Sequence, residues 1–481
     1  MTTSLRRSSP PRRRLLRTAF PRSLPRLAIL AVLTLGGCGE RAEEPLGKGG
    51  GEGGGAGDGD LLGSSGGDCG LASMRGWIEG NMRDYYLFAE QVPRVRPEDF
   101  DSDVAILEAL RVDPPDRYSY LADEAEYDAL FEEGETFGLG WRLVRTGPDT
   151  WLFARVLPGS PLDRAGVARG DRLIAIDGIA PAAFAELTAE EQDRRLGTPA
   201  AAVDVTFTIE SAVLGRYETT VRAEPFPLVT VPDVRVLERE DGTRLGYLHL
   251  TEFLETSMPE LSRAFETLAG VDELLLDLRY NGGGRVSVAG QLAGAVAGRL
   301  VEGEVFARFR HNATYASLDQ HIDFEQSFAA LDLPRVFVLT SERTCSASEL
   351  VINALEPFID VVTIGRRTCG KPYATSPRRS CGRVLNALEV RMENSVFVGD
   401  YVDGLEADCG ADDDPSRPQG RPGDPLHDAV LAYIDTGACA LLAGSDDAAK
   451  LSPSARAAGR AGLGTEPRFS RQPLLEGAVL P

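Results

Sequence analysis

The sequence predicts a mixed α/β protein assembled from a short helical segment, a β-rich module and a larger α/β core. Three observations carry that expectation. Apolar residues recur at helical spacing up to about Phe131, short strand candidates between Gly, Pro and Asp turns run from about Glu132 to Pro227, and strands alternate with helices from about Val229 to Cys439. With 481 residues the chain exceeds one ordinary hydrophobic core, so two or three domains are expected.

Residues 1–37 have the composition of a targeting segment: an Arg-rich stretch from Arg6 to Arg26, then a short apolar run from Leu27 to Leu35. That run is too short to span a bilayer as a helix. Leu35-Gly36-Gly37-Cys38 resembles the bacterial lipobox, which implies lipidation of Cys38 and an exported lipoprotein held on a membrane, expected as the periplasmic side of the outer membrane. The competing reading is an ordinary secretory signal with an incidental Cys. Residues 38–67 are Gly-rich and acidic, the composition of a flexible tether. The first 37 positions hold eight Arg and no acid, so the remainder carries 43 basic against 73 acidic residues, a balance of −30. Such a surface argues against a nucleic-acid partner.

Cys69, Cys345, Cys369, Cys381, Cys409 and Cys439 remain, an even number that in an exported protein suggests disulfides. The sequence does not choose among their pairings. No Cys-x-x-Cys pair occurs and His249, His311, His321 and His427 are scattered, so neither a metal nor another cofactor is expected.

The helical segment is placed at 68–131, on the apolar spacing of MRGWIEGNMRDYYLF and DVAILEAL. The β-rich module, 132–227, carries WLFARVL, RLIAIDG and VDVTFTIES as strands. Phe137-Gly138-Leu139-Gly140-Trp141, Val156-Leu157-Pro158-Gly159-Ser160-Pro161, Ala165-Gly166-Val167, Gly170-Asp171-Arg172-Leu173 and Ile176-Asp177-Gly178 together resemble a PDZ domain. The resemblance implies capture of a peptide C-terminus by strand addition, with Gly138, Leu139, Gly140 and Trp141 as the carboxylate loop. A packing module without a ligand is the alternative.

In the core, 228–440, the strands GYLHL, ELLLDL, RVFVLTS and VVTIG alternate with helices expected at Ser257–Ala269, Val286–Val296 and Ala347–Phe358, the pattern of a largely parallel sheet. Residues 441–481 lack lasting periodicity and are expected to be a disordered tail.

Thr344-Cys345-Ser346-Ala347-Ser348-Glu349-Leu350 falls where a buried strand becomes a helix, a place where backbone N–H groups favour developing negative charge. Ser346-x-x-Glu349 is equally a helix-capping box. Lysine usage adds a second signal. The chain has three Lys against 48 Arg, and Lys48 and Lys450 fall in the tether and tail, leaving Lys371 alone in the folded body. Arg cannot accept a proton, whereas a buried Lys can lose its charge and act as a base.

With Ser346, Lys371 25 positions later in Gly370-Lys371, and Leu276-Asp277-Leu278-Arg279-Tyr280-Asn281-Gly282-Gly283-Gly284, residues 70–439 resemble the C-terminal processing, or tail-specific, serine proteases. The resemblance implies a core of ClpP/crotonase-like architecture and a Ser346–Lys371 dyad, with the N–H groups of Ala347 and Gly283 as the oxyanion hole. It implies a serine endopeptidase acting on polypeptides with accessible C-termini, with an adaptor protein as a conceivable further partner. Many members carry a Gln four residues after the Lys; here Thr375 stands there, and Thr375 or Tyr373 would take its place as a third member. The alternatives are a PDZ lipoprotein that binds C-termini without cutting them and a thiol hydrolase using Cys345. For Cys345 and Cys369 the expected role is disulfide bonding that braces both catalytic loops.

Overall fold

The computed structural model describes residues 69–439 and the strand Ala478–Val479. The expectations for residues 1–67, the signal segment, Cys38 and the tether, lie outside these residues. Helix α1 (Leu71–Asp84) buries Met74, Ile78 and Met82, a stripe at four-residue spacing, and packs Ile78 and Met82 with Ile106, Leu107 and Leu110 of α2 (Asp103–Leu110). Ser102 caps α2 by accepting the Ala105 N–H. The helical pattern of the sequence runs on to Phe88, but α1 stops at Asp84. Tyr86 turns inward there, and its hydroxyl donates to the buried Asp116 carboxylate at 2.7 Å.

The β-rich module is a five-stranded antiparallel sheet in the order β1 (Trp141–Gly147), β2 (Thr150–Val156), β3 (Arg172–Ile176), β4 (Asp204–Ser211), β5 (Gly215–Arg222). The short helix α3 (Ala189–Leu196) carries a Thr188–Glu191 capping box. Trp141, Leu143, Phe153, Leu173, Ile176, Phe207 and Ile209 form its own core. Strand β1 is at the edge of this sheet, which leaves one side of it without a strand neighbour among the described residues.

The α/β core is built on a six-stranded sheet. Its strands are β6 (Asp233–Glu238), β7 (Arg244–His249), β8 (Glu273–Asp277), β12 (Arg335–Thr340), β13 (Asp360–Gly365) and β16 (Cys409–Gly410), adjacent in that order, all parallel except β6. Its central strands read as unbroken apolar runs because both faces are covered. Helices α4 (Ser257–Thr267), α5 (Val286–Ala297) and α6 (Ala347–Leu355) supply that cover, the last two buried along nearly their whole length. Helix α7 (Pro425–Thr436) packs Leu426 and Val430 with Leu245, Phe337 and Val362.

A second sheet contains β9 (Gly284–Arg285), β17 (Ala478–Val479), β14 (Tyr373–Thr375), β15 (Leu388–Glu393), β10 (Val305–Arg310) and β11 (Gln320–Asp323), again in order of adjacency. Strand β17 belongs to the tail expected to have no regular structure; the rest of that tail lies outside the described residues. Three disulfides, Cys69–Cys381, Cys345–Cys369 and Cys409–Cys439, pair all six cysteines of the described part.

Candidate active site

Ser346 stands at the turn from β12 into α6 with φ +59° and ψ −112°, a conformation that costs a non-Gly residue about 1–3 kcal/mol and persists only where its surroundings enforce it. The residue is fully buried, and its Oγ has no hydrogen-bond partner. The return half of the capping box forms: the Ser346 N–H donates to Glu349 Oε2 at 2.8 Å. The Glu349 carboxylate does more than cap a helix. Its Oε2 also accepts the Lys371 N–H at 2.8 Å, while Oε1 accepts the Gly370 N–H at 2.7 Å and the Thr368 hydroxyl at 2.5 Å. Burial pushes the Glu349 carboxyl up, and the bonds from Thr368, Lys371, Ser346 and Gly370 oppose it. One carboxylate thus holds the backbone at both Ser346 and Lys371.

Lys371 is fully buried, with Nζ 5.2 Å from the centre of the Tyr118 ring. The Tyr118 hydroxyl donates to the carbonyls of Gly370 at 3.0 Å and Cys369 at 3.1 Å. A residue of the N-terminal segment therefore forms one wall of the lysine site. Cys345 and Cys369, beside Ser346 and near Lys371, are joined to each other. That bond removes the thiol on which a Cys345 hydrolase would depend, and it occupies the two sulfurs that lie near Glu349 in a spacing an ion could share.

The glycine turn after β8 closes the third side. The Asn281 carbonyl accepts the Cys345 N–H and the Ser348 hydroxyl, each at 3.1 Å, and the Leu278 carbonyl accepts the Thr344 hydroxyl at 2.8 Å. Gly283 has φ +115°, and a Cβ there would lie 2.9 Å from Ser346 Cβ and 3.2 Å from the Ala347 nitrogen. Only glycine admits this approach. The turn sets one of the expected oxyanion donors differently, because the Gly283 N–H is already given to Asn281 Oδ1 at 2.8 Å. Ala347, fully buried, follows Ser346 at the first position of α6.

Thr375 lies in β14, almost fully buried, and its hydroxyl donates to Asn386 Oδ1 at 3.4 Å. Tyr373 is buried beside Phe88. In the β-rich module the Leu139 carbonyl accepts the Leu162 N–H and the Gly140 carbonyl accepts the Leu157 N–H, fixing the Gly138–Trp141 loop at the head of the open edge β1. The four His lie elsewhere: His249 meets Gln419, His311 meets Asp319, His321 approaches Asp323 and His427 meets Asp428. Burial pushes His249 down to about 4, which keeps it neutral.

Sequence reasoning placed Ser346 and Lys371 but read Glu349 only as half of a cap and passed over Tyr118 and Asn281. The Ser346-x-x-Glu349 spacing is a signal that would have found Glu349. Tyr118 carries no such signal, since 252 positions separate it from Gly370.

Fold and site together define a PDZ-bearing α/β protein with a buried Ser and Lys gathered beside a glycine turn. Residues 244–392 match the model for peptidase family S41, residues 73–120 the peptidase S41 N-terminal domain, and residues 152–191 a PDZ domain. The chain thus matches both S41 peptidase models and a PDZ domain, and its relatives include proteins named carboxyl-terminal-processing proteases. It is 28% identical over 296 residues to a carboxyl-terminal-processing protease of Picosynechococcus sp., covering 59% of this chain and 66% of that one. To the carboxy-terminal processing protease CtpA of Bacillus subtilis it is 26% identical over 223 residues, 46% of this chain and 44% of the relative. Less than two thirds of these relatives' length is therefore spanned. A Bacteroides fragilis protein assigned to the S41 proteases superposes with a TM-score of 0.62 at 25% identity, over 75% of this chain and 97% of that one.

Proposed function

We propose that the chain is a serine endopeptidase that hydrolyses peptide bonds near polypeptide C-termini, with Ser346 as nucleophile and Lys371 as general base. The observation that supports this most is the shared carboxylate: Glu349 accepts backbone N–H groups from both residues, so the two loops cannot drift apart independently. Neutral Lys371 takes the proton as Ser346 Oγ attacks a peptide carbonyl, and the amine leaves with a proton returned by the lysine. Water then hydrolyses the acyl-enzyme. The Ala347 N–H faces the developing oxyanion; Gly283 joins it only when the Asn281 side chain gives up its N–H. Thr375, whose hydroxyl also donates to Asn386, or Tyr373 serves as the third member in place of the family's Gln.

The PDZ module supplies substrate capture, a peptide C-terminus adding to the open edge β1 with its carboxylate at Gly138, Leu139, Gly140 and Trp141. The lipobox-like sequence supports export and anchoring at Cys38 on the periplasmic side of the outer membrane, with an adaptor as an additional partner. No helix among the described residues is long and apolar enough to cross a membrane.

The test is cleavage of an unfolded protein with an apolar C-terminus by the full chain, beside Ser346→Ala and Lys371→Ala. Each variant is expected to lose cleavage by about 10⁴-fold or more. Binding of the substrate with no cleavage by the unaltered chain would sink the reading and favour a module that only captures C-termini.

A further inference from the structure

One turn of the N-terminal segment reaches the surroundings of the lysine. Its buried Asp116 carboxylate accepts the Tyr118 and Ser119 N–H groups on one oxygen, at 2.8 and 2.9 Å, and the Ser119 and Tyr86 hydroxyls on the other, at 2.5 and 2.7 Å. Four bonds to one buried carboxylate make the turn rigid. The Leu388 N–H, at the start of β15, donates to the Ser119 hydroxyl at 3.0 Å, so the turn is also fastened to the strand that pairs with β14. Tyr118 is thereby aimed at the lysine loop.

Its side chain meets that loop twice. The hydroxyl shares its proton between the carbonyls of Cys369 and Gly370, and it accepts an N–H from Arg117 at 2.9 Å. Arg117 donates to the Cys369 carbonyl as well, at 2.5 Å. The ring centre lies 5.2 Å from Lys371 Nζ, within the range over which an aromatic face attracts a cation. That attraction acts on the ammonium and hardly on the neutral amine. Burial favours the neutral form of a lysine, the form a base needs. The ring thus contributes only once the lysine has taken up a proton, and an interaction gained during a step is the kind that speeds it.

We propose that Tyr118 is a positioning residue for the reaction: its ring holds the Lys371 ammonium as that charge forms, and its hydroxyl fixes the two carbonyls that precede the lysine. This rests on the protease reading above. In the step concerned the Ser346 O–H bond breaks and an N–H bond forms on Nζ while Oγ bonds to the peptide carbonyl carbon. The new positive charge appears beside the ring and is discharged when the proton passes to the leaving amine. Charged and titratable groups reach this corner from each element packed there. Arg117, 5.1 Å from the same ring's centre, and Asp116 come from the N-terminal segment, Glu349 from α6, Tyr373 from β14 and Tyr401 from the loop after β15. Substitutions confined to Tyr118 leave all of them in place, so a change in the lysine's titration belongs to the tyrosine.

With three lysines in the chain, Lys371 can be watched directly. The full chain is labelled with ¹³C-lysine, and the NMR signal that Lys371→Ala removes is followed against pH in the parent, Tyr118→Phe and Tyr118→Met. Values of kcat and KM for the unfolded substrate are measured on the same samples. Met fills the space adaptably without a ring, and Tyr118→Leu replaces it should that variant not fold. The Phe variant is expected to keep the parent's midpoint and to lose about fivefold in kcat, the equivalent of one hydrogen bond. In the Met variant the ammonium loses its partner, so the midpoint should fall by about one pH unit. The acid limb of kcat/KM should move with it, and kcat should fall further while KM holds. An equal midpoint in all three proteins overturns the inference. So does a midpoint that rises without the ring, because Tyr118 would then serve to keep water out. A parent that cuts nothing overturns the protease reading, and the midpoints still decide whether the ring acts on the lysine.

Discussion

Two regions of this molecule bury charge, and they do so in opposite ways. Between Ser346 and Lys371 the Glu349 carboxylate receives three backbone N–H groups and one hydroxyl. At the seam between the PDZ module and the core, Glu252 is equally buried, yet neither of its oxygens has a hydrogen-bond partner, and Arg155 and Arg142 act on it only through space. The same PDZ–core seam also holds a well-made network, in which Asp413 joins Arg169 of the PDZ module to Arg279 of the glycine-turn strand at 2.7 and 2.6 Å. A saturated buried carboxylate fixes geometry, because moving either loop breaks bonds that water cannot replace. An unsatisfied one only raises the energy of the arrangement that contains it. The difference assigns rigidity to the site and tolerance of change to the Glu252 side of the domain boundary.

The sharpest way to break this comparison is Glu349→Ala. It orphans three N–H donors and a hydroxyl, and the expected loss is about 3 kcal/mol of stability, with cleavage falling further than Tm alone explains. Cleavage that follows only the folded fraction would mean that the carboxylate does not hold the two loops in register. Next in size is the double change Cys345→Ser and Cys369→Ser. It opens a loop of 24 residues and should lower stability by about 3 kcal/mol by denaturant titration, mildly reducing cleavage at temperatures where the chain stays folded. A variant as stable as the parent would show that Glu349 alone sets the loops.

The other side of the comparison is tested by a pH dependence at Glu252. Burial pushes its carboxyl from 4.5 up to about 8, against the pull of Arg155 and Arg142. Between those pH values the folded chain holds a proton that the unfolded chain releases. Stability from this group is therefore full below about pH 4.5 and declines as pH rises towards about 8. Glu252→Gln removes the titration, so urea unfolding should show the variant gaining on the parent steadily from pH 5 to pH 8. Parallel curves would mean that Glu252 ionises in the fold as readily as in the unfolded chain.

Much of the fold was legible because its signals are local. The apolar run ELLLDL could only be a strand covered on both faces, and β8 is that strand. The periodic residues of α5 and the strand-to-helix change at Ser346 are equally local, and the structure ends these helices within a few residues of expectation. Expectation and structure part where distant residues meet. Helix α1 stops early because Tyr86 finds Asp116, 30 positions away, and the Gly283 N–H turns to Asn281 because the tight turn brings that side chain within reach.

What the sequence by itself determined is the order of modules and the chemical types at the site: a serine at a helix start, a solitary lysine, and glycines where no side chain fits. Those follow from periodicity, composition and spacing, which one stretch of chain carries alone. Only the tertiary structure decided that Glu349 serves both loops, that Cys345 pairs with Cys369, that Tyr118 walls the lysine, and that Ala478–Val479 pairs with β9 and β14. The physical reason is common to all four. Each joins elements tens to hundreds of positions apart, and their meeting depends on how sheets and helices stack, which no local pattern encodes.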